Sequence, residues 1–364
     1  MIAHALLVLV IPAQAFDPDK VAAASALIRE AITQGKTPGL VAVAGDGRAA
    51  LWRQAFGNRQ VKPVVEPATL ETVWDMASLT KPVATATSVW ILADRGKVDP
   101  DQPVARYLPD FKGDGREKVT VRHLLTHTSG LPAGNSLEHY KAGKAAARAR
   151  LCATALQAPP GAKFTYSDLG FILLGWIVED VSGQPLDRFA RDNIFKPLGM
   201  NDTGYLPDDA LKARCAATGA DVGGWLKGRV HDPRANLMGG VAGHAGLFST
   251  GPDMARYARM VLNKGELDGA RIMSAEALGR MIRPEEVPGG KRAPGWDNRT
   301  GYSTQRGAHL SDKAVGHGGF TGTSMWIDPE RGLFIVLLAT RMHPDGKGVV
   351  NPLFGAVATA LSAP

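Results

Sequence analysis

The sequence predicts a mixed α/β (α+β) fold, an antiparallel sheet built from both ends of the chain and flanked by helices, with a mainly helical unit inserted. Three observations predict it. Each end carries a strand–turn–strand pattern, each end also carries a helical pattern, and the apolar spacing between them is mostly helical.

From Pro18 to Gln34, Val21, Ala24, Leu27, Ile28, Ala31 and Ile32 recur at helical intervals. Leu40–Ala44 and Ala49–Ala55 then flank Gly45-Asp46-Gly47-Arg48, which reads as a β-hairpin. A second hairpin is expected from Thr323–Asp328 and Leu333–Thr340 around Pro329-Glu330-Arg331-Gly332, followed by a helix over about Val349–Leu361. Between them, Ser78–Asp94 reads as an apolar helix that tolerates Pro82 in its first turn. Leu169–Val181, Pro185–Ile194 and Asp253–Leu262 are further helices, whereas Thr203–Gly240 and Val287–Gly307 read as long loops. The expected division is a sheet domain of residues 16–77 plus 265–364 and a helical domain of 78–264, with the active site between them.

At 364 residues, with 45% hydrophobic and 21% charged residues, the composition is that of a globular enzyme. The formal charge of +7 is dispersed and lacks interleaved aromatics, which argues against nucleic-acid binding. A mildly basic surface suits anionic substrates or a loose association with membrane or cell wall. The first fifteen residues resemble a secretory signal, with an apolar run Ala5–Ile11 and a small-x-small site Ala13-Gln14-Ala15, although the n-region carries no Lys or Arg. A periplasmic or secreted monomer is the expectation. Cys152 and Cys215 are too few for a disulfide scaffold, and both a pair and two buried thiols are compatible with the sequence.

The chemistry starts at Ser78-Leu79-Thr80-Lys81. Residues three apart share a helix face, so an amine is placed beside a hydroxyl and can activate it without histidine. Alone, such a motif is common. Phe164-Thr165-Tyr166-Ser167-Asp168 adds a tyrosine that nearby cations would make acidic enough to shuttle the serine proton. The same stretch also reads as a helix-capping turn. His317-Gly318-Gly319-Phe320 adds glycines at a strand edge, where a backbone N–H could face an acyl oxygen.

In that order and spacing, the three segments resemble the serine hydrolases related to class C β-lactamases, penicillin-binding D,D-peptidases and β-lactamase-like esterases. The resemblance extends over the chain after residue 16, with support from Leu124–Pro132 and Gly239–Phe248. It implies the β-lactamase/transpeptidase-like fold and an acyl-enzyme on Ser78, with Lys81 lowering the serine and tyrosine pKa values. Tyr166 would be general base and then acid, and the Ser78 and Phe320 N–H groups would form the oxyanion hole. It implies no metal and no cofactor.

Two departures bear on specificity. Asp168 stands where the pattern has Asn, and an ionised carboxylate cannot donate to substrate but can hold Lys81. His317-Gly318-Gly319 replaces Lys-Thr-Gly, so the usual carboxylate anchor is missing and a partly protonated His317 is a weaker one. Asp168, His317, Gly318, Gly319 and His244 are the candidate substrate-binding residues. The expected substrate is a small or peptide-like acyl compound, with ester hydrolysis ranked before D,D-peptidase or muropeptide hydrolysis and β-lactamase activity. An acylated penicillin-binding or sensor module without turnover is the alternative of another class. His123 and His127 are assigned structural roles. Trp225 and Trp296 are candidates for an acyl pocket as well as for ordinary packing.

Overall fold

The computed structural model describes residues 16–221 and 224–364, so the signal-like segment Met1–Ala15 lies outside the described residues. Asp17 caps the first helix, α1 (Pro18–Thr33), by accepting the Asp19 N–H, and Pro18 occupies its first turn. The hairpin of β1 (Gly39–Gly45) and β2 (Ala50–Gln60) follows, closed by Asp46, whose carboxylate accepts the Arg48 and Ala49 N–H groups.

β3 (Glu66–Pro67) extends this hairpin. The C-terminal part contributes β4 (Glu285–Val287), β5 (Gly290–Ala293), β6 (Trp296–Arg299), β7 (Val315–Gly319), β8 (Thr323–Asp328) and β9 (Leu333–Ala339). Together they form one nine-stranded sheet in the order β4-β5-β6-β7-β8-β9-β1-β2-β3, antiparallel at every pairing. The chain ends thus meet at the β1–β9 pair, where Leu40 faces Ala339 and Val43 faces Val336.

Strand β1 is buried throughout, and its alternation sorts side chains between two cores. Leu40, Ala42 and Ala44 pack with Ile28 of α1 and with Phe354 and Val357 of the terminal helix, α5 (Asn351–Ser362). Val41 and Val43 face α4 (Gly251–Leu262), whose first residue must be glycine because an added Cβ would stand 2.7 Å from Val41 Cγ1.

The segment that carries Ser78 is itself helical. The expected single helix over Ser78–Asp94 is three in succession: a 3-10 turn (Ala77–Leu79), a π-helical stretch (Lys81–Ala86) and α2 (Thr87–Asp94). It packs on α3 (Asp168–Ser182), an apolar helix stopped by Gly183 in left-handed conformation.

The segment Val287–Gly307 is not a long loop. It carries β5 and β6, polar strands that complete the sheet beside β7. Thr203–Gly240 likewise contains short elements, including a hairpin of Ala217–Asp221 with Gly224–Lys227 and a helix Pro233–Leu237. Both segments carry charged and glycine residues where a strand pattern wants apolar alternation, which hid them. Among the described residues no helix is long and apolar enough to cross a membrane.

Candidate active site

A cleft of about 670 Å³ opens between the Ser78 turn, the start of α3, the Gly-rich strand β7 and the segment His231–Ala245. Behind its lining Lys81 is fully buried and donates to Ser78 Oγ at 2.9 Å and to the His244 carbonyl at 3.2 Å. Its ammonium also pairs with Asp168 at 2.8 Å and lies 4.9 Å from the centre of the Tyr166 ring. These residues come from three places that sequence spacing alone could not join: the Ser78 turn, the cap of α3 and the segment holding His244.

Burial would strip Lys81 of its proton, but the Asp168 carboxylate and the Tyr166 oxygen outweigh that and hold its pKa above the ordinary lysine value. Burial raises the Asp168 carboxyl too, and Lys81 and His244 outweigh it, so Asp168 stays ionised. An ammonium of this kind donates to the Ser78 hydroxyl and cannot take its proton.

Ser167 caps α3, accepting the Gly170 N–H at 3.4 Å and donating to the Pro132 carbonyl at 2.6 Å. The capping reading of that stretch therefore holds, and the same cap places Tyr166 and Asp168 beside Lys81. Below them His127 packs on Tyr166 with ring centres 4.5 Å apart, and its Nδ1 accepts the Ser167 N–H at 3.0 Å. His123 closes a capping box with Thr120. Neither histidine is part of the cleft floor, as expected of structural residues.

Strand β7 reaches the Ser78 turn through its last residues. A Cβ on Gly319 would stand 2.5 Å from the Met76 carbonyl, so only glycine lets the two backbones approach. Thr323 donates to that same carbonyl at 3.1 Å, and Thr321 donates to the Asp75 carbonyl at 2.6 Å. Phe320 lies in the turn just past β7, and Ser78 lies in the first turn of a 3-10 helix, where N–H groups have no intrahelical acceptor. The Phe320 side chain is 57% exposed at the rim, covered on one side by Arg341 at 4.2 Å.

The structure corrects His317. It is buried, its Nδ1 is 2.8 Å from the Gly318 carbonyl, and burial with Arg292 and Lys81 nearby pushes its pKa well below the usual value. It is a neutral imidazole, not a partly charged anchor. His244 lines the cleft, but its Nε2 is engaged by Asp232 at 2.9 Å and its carbonyl by Lys81, so it props the lysine. Burial raises the Asp232 carboxyl, and His244, the Ala235 N–H and Lys81 outweigh it and hold it far below the ordinary carboxylate range. Asp168, Asp232 and His244 place three ligand-type atoms within 4.8 Å of one another, a set able to hold a cation, and the Lys81 ammonium already lies against it.

Neither tryptophan lines the cleft. Trp225 stacks edge-on against His343 at 4.3 Å, and Trp296 is fully buried beside Tyr257. Cys152 and Cys215 are both free and buried.

Of the cleft residues that escaped the sequence reading, two hold buried polar atoms without a partner. Arg292, on β5, is fully buried, pairs with Asp297 at 3.3 Å through Nη1, and leaves Nε and Nη2 without a partner. Gln305 packs against Gly318 so closely that a Cβ there would stand 2.5 Å from Oε1, and this oxygen is also unpartnered. Both lie within Val287–Gly307, so reading that segment as a loop removed them from view.

Comparison with known proteins agrees with this geometry. A family model described as Beta-lactamase matches residues 24–360. The chain is 34% identical to an N-acetylmuramyl-L-alanine amidase of Bacillus subtilis, covering 93% of this chain and 84% of that protein. It is 33% identical to a putative D-alanyl-D-alanine carboxypeptidase of Salmonella agona, over 78% of this chain and 73% of that one. Among solved structures, a hydrolase with promiscuous acyltransferase activity, EstCE1, superposes with a TM-score of 0.76 at 20% identity, covering 94% of this chain and 98% of that one. The octameric penicillin-binding protein homologue of Pyrococcus abyssi gives 0.75 at 25% identity, over 94% and 77%. With the family model spanning nearly the whole described chain, the protein belongs to the β-lactamase family of serine hydrolases.

Proposed function

We propose that the protein hydrolyses an amide bond of a cell-wall-type peptide through an acyl-enzyme on Ser78, and that the leaving amine carries a carboxylate. The observation that supports this most is Arg292, a buried guanidinium in the cleft with two unpartnered nitrogens. A buried cation with free donors is costly unless something anionic completes it. The lost Lys-Thr-Gly anchor, which favoured esters from sequence alone, is compensated here by a cation from the neighbouring strands. Relatives named as a D-alanyl-D-alanine carboxypeptidase and a muramyl amidase support the same substrate class.

In this reading Ser78 Oγ attacks the amide carbon. Its proton passes to Tyr166, which acts in this step as the phenolate beside the Lys81 ammonium, because Lys81 is already protonated and donates to Oγ. Negative charge developing on the carbonyl oxygen is met by the N–H groups of Ser78 and Phe320, each such donor being worth about 2.7–4 kcal/mol in the transition state. Tyr166 returns the proton to the departing nitrogen as the C–N bond breaks. Water then attacks the Ser78 ester, and the same groups release the acid.

The test offers a diacetyl-Lys-D-Ala-D-Ala peptide, its C-terminal amide, muramyl dipeptide, p-nitrophenyl butyrate and nitrocefin to the wild type, Ser78→Ala and Arg292→Met. The free-acid peptide is expected to be cleaved about 10²-fold better than its amide, and Arg292→Met to erase that preference, as for a site left with an unpaired buried charge. Equal cleavage of acid and amide by the wild type would overturn the carboxylate reading. Preferential cleavage of muramyl dipeptide would move the scissile bond to the muramyl amide. A stable adduct without turnover would make the protein an acylated sensor.

A further inference from the structure

Ala77, immediately before the nucleophile, has φ 44°, in the left-handed region that residues with a Cβ avoid. Something must hold it there, and the groups around it show what does. Asp75, 3% exposed, accepts the Ala77 N–H on Oδ1 at 2.9 Å. Its other oxygen accepts the His231 N–H at 2.7 Å, from the opposite wall of the cleft. His231 is followed by Asp232, which holds His244, and His244 in turn accepts from Lys81 through its carbonyl. One carboxylate therefore ties the turn carrying Ser78 to the segment that supports Lys81, from behind the cleft lining.

We propose that Asp75 is a positioning residue for acyl transfer, its ionised carboxylate stapling the Ser78 turn to the His231–His244 wall. The inference rests on Ser78 being the nucleophile and is independent of which substrate it attacks. Burial raises the Asp75 carboxyl to about 6; the two N–H groups oppose that, and the like charge of Asp232 adds to it. The titratable side chains acting on it are Asp232 and the Cys215 thiol, which burial raises; His231 meets it through the main-chain N–H, and the Thr321 hydroxyl bonds the Asp75 main-chain carbonyl instead. Between pH 5 and 7.5 the thiol stays neutral and the His231 N–H does not titrate, so of the groups joined in the staple it is the carboxylate that changes charge in that range. Protonation removes an acceptor from one of the two N–H groups, and the strained turn loses its restraint.

The experiment measures the rate of Ser78 phosphonylation by a fluorophosphonate probe from pH 5 to 8.5, in the wild type, Asp75→Asn and Ser78→Ala, with circular dichroism to confirm folding. The wild-type rate is expected to fall below pH 6, with an apparent pKa near that of Asp75. Folded Asp75→Asn is expected to react about 10²-fold more slowly at pH 7.5, the size of effect a misplaced reacting group produces, and to lose that acid limb. Wild-type rates flat from pH 5 to 7.5, or a folded Asp75→Asn that keeps the full rate or the limb, would overturn the proposal. If Asp75→Asn does not fold, hydrogen exchange of the Met76–Lys81 stretch in the wild type decides: protection should drop at pD 5 after correction for intrinsic rates, and unchanged protection overturns the proposal. Labelling that persists in Ser78→Ala is a separate failure, that of the nucleophile assignment.

Discussion

Lys81 is the residue on which the site turns, because its charge is buried and its environment decides what that charge does. Restoring the more usual asparagine by Asp168→Asn removes the carboxylate and leaves a buried ammonium with neutral partners. Breaking a buried pair costs about 3–5 kcal/mol. Asp168 is partly exposed, so a loss of about 3 kcal/mol is expected in urea unfolding, with a parallel fall in kcat. Unchanged stability would show that Lys81 gives up its proton instead. At this scale the sequence exposed the residues that act through spacing or a cap: Ser78, Lys81, Tyr166 and Asp168. It hid Arg292 and Asp75, since nothing local marks a buried arginine in a charged strand or distinguishes a buried aspartate from a turn aspartate. Their roles come from neighbours more than 150 residues away in one case and from sheet closure in the other.

Among elements, the approach of β7 to the nucleophile turn is the tightest constraint. Gly319→Ala would drive a methyl into the Met76 carbonyl and the Thr323 hydroxyl, pushing the strand and the Phe320 N–H away from the cleft. The expected result is a kcat loss of about 10²–10³, as for a missing oxyanion donor, measured as acylation rate in a protein that still gives a cooperative melt. A loss confined to KM would place the oxyanion donor elsewhere. The same scale shows what periodicity could and could not do. Both hairpins and α1, α3, α4 and α5 followed from regular spacing and caps. The Ser78–Asp94 segment kept its helical direction but was divided, with Lys81 opening a π-helical stretch that an apolar count cannot distinguish from α-helix. Strands β5 and β6 failed the pattern because their side chains are charged and still buried, as Arg292 and Asp297 are by pairing with each other.

For the whole molecule, pH acts through groups that are buried in unusual charge states. Burial, with nearby cations, pushes His127 and His317 well below the usual imidazole value, so the folded chain keeps them neutral where the unfolded chain protonates them. Their stabilising contribution is present above about pH 6.5 and is lost as pH falls below it, at about 1.4 kcal/mol per pH unit each. Asp75 acts the other way: its folded pKa is raised to about 6, so its contribution is present at acid pH and is lost as pH rises from about 4 through 6. His123, His231 and His343 are lowered by burial as well, against raised carboxyls at Asp75, Asp253 and Glu285, so the balance is a net loss on acidification and Tm is expected to fall between pH 7 and 5. Replacing His127 with glutamine should flatten that fall, measured by differential scanning fluorimetry across pH; an undiminished slope would place the acid sensitivity elsewhere.

Gly318 and Gln305 share one volume, and that limits how this cleft can change. Rebuilding a threonine at 318 requires space that the Gln305 amide already fills, and shortening Gln305 first removes its bond to Asn351 and opens a gap beside a glycine. Each single step is therefore expected to be worse than either end state. The expectation in evolutionary terms is sign epistasis: reaching the Lys-Thr-Gly type of specificity requires the changes at 305 and 318 together, besides the replacement of His317.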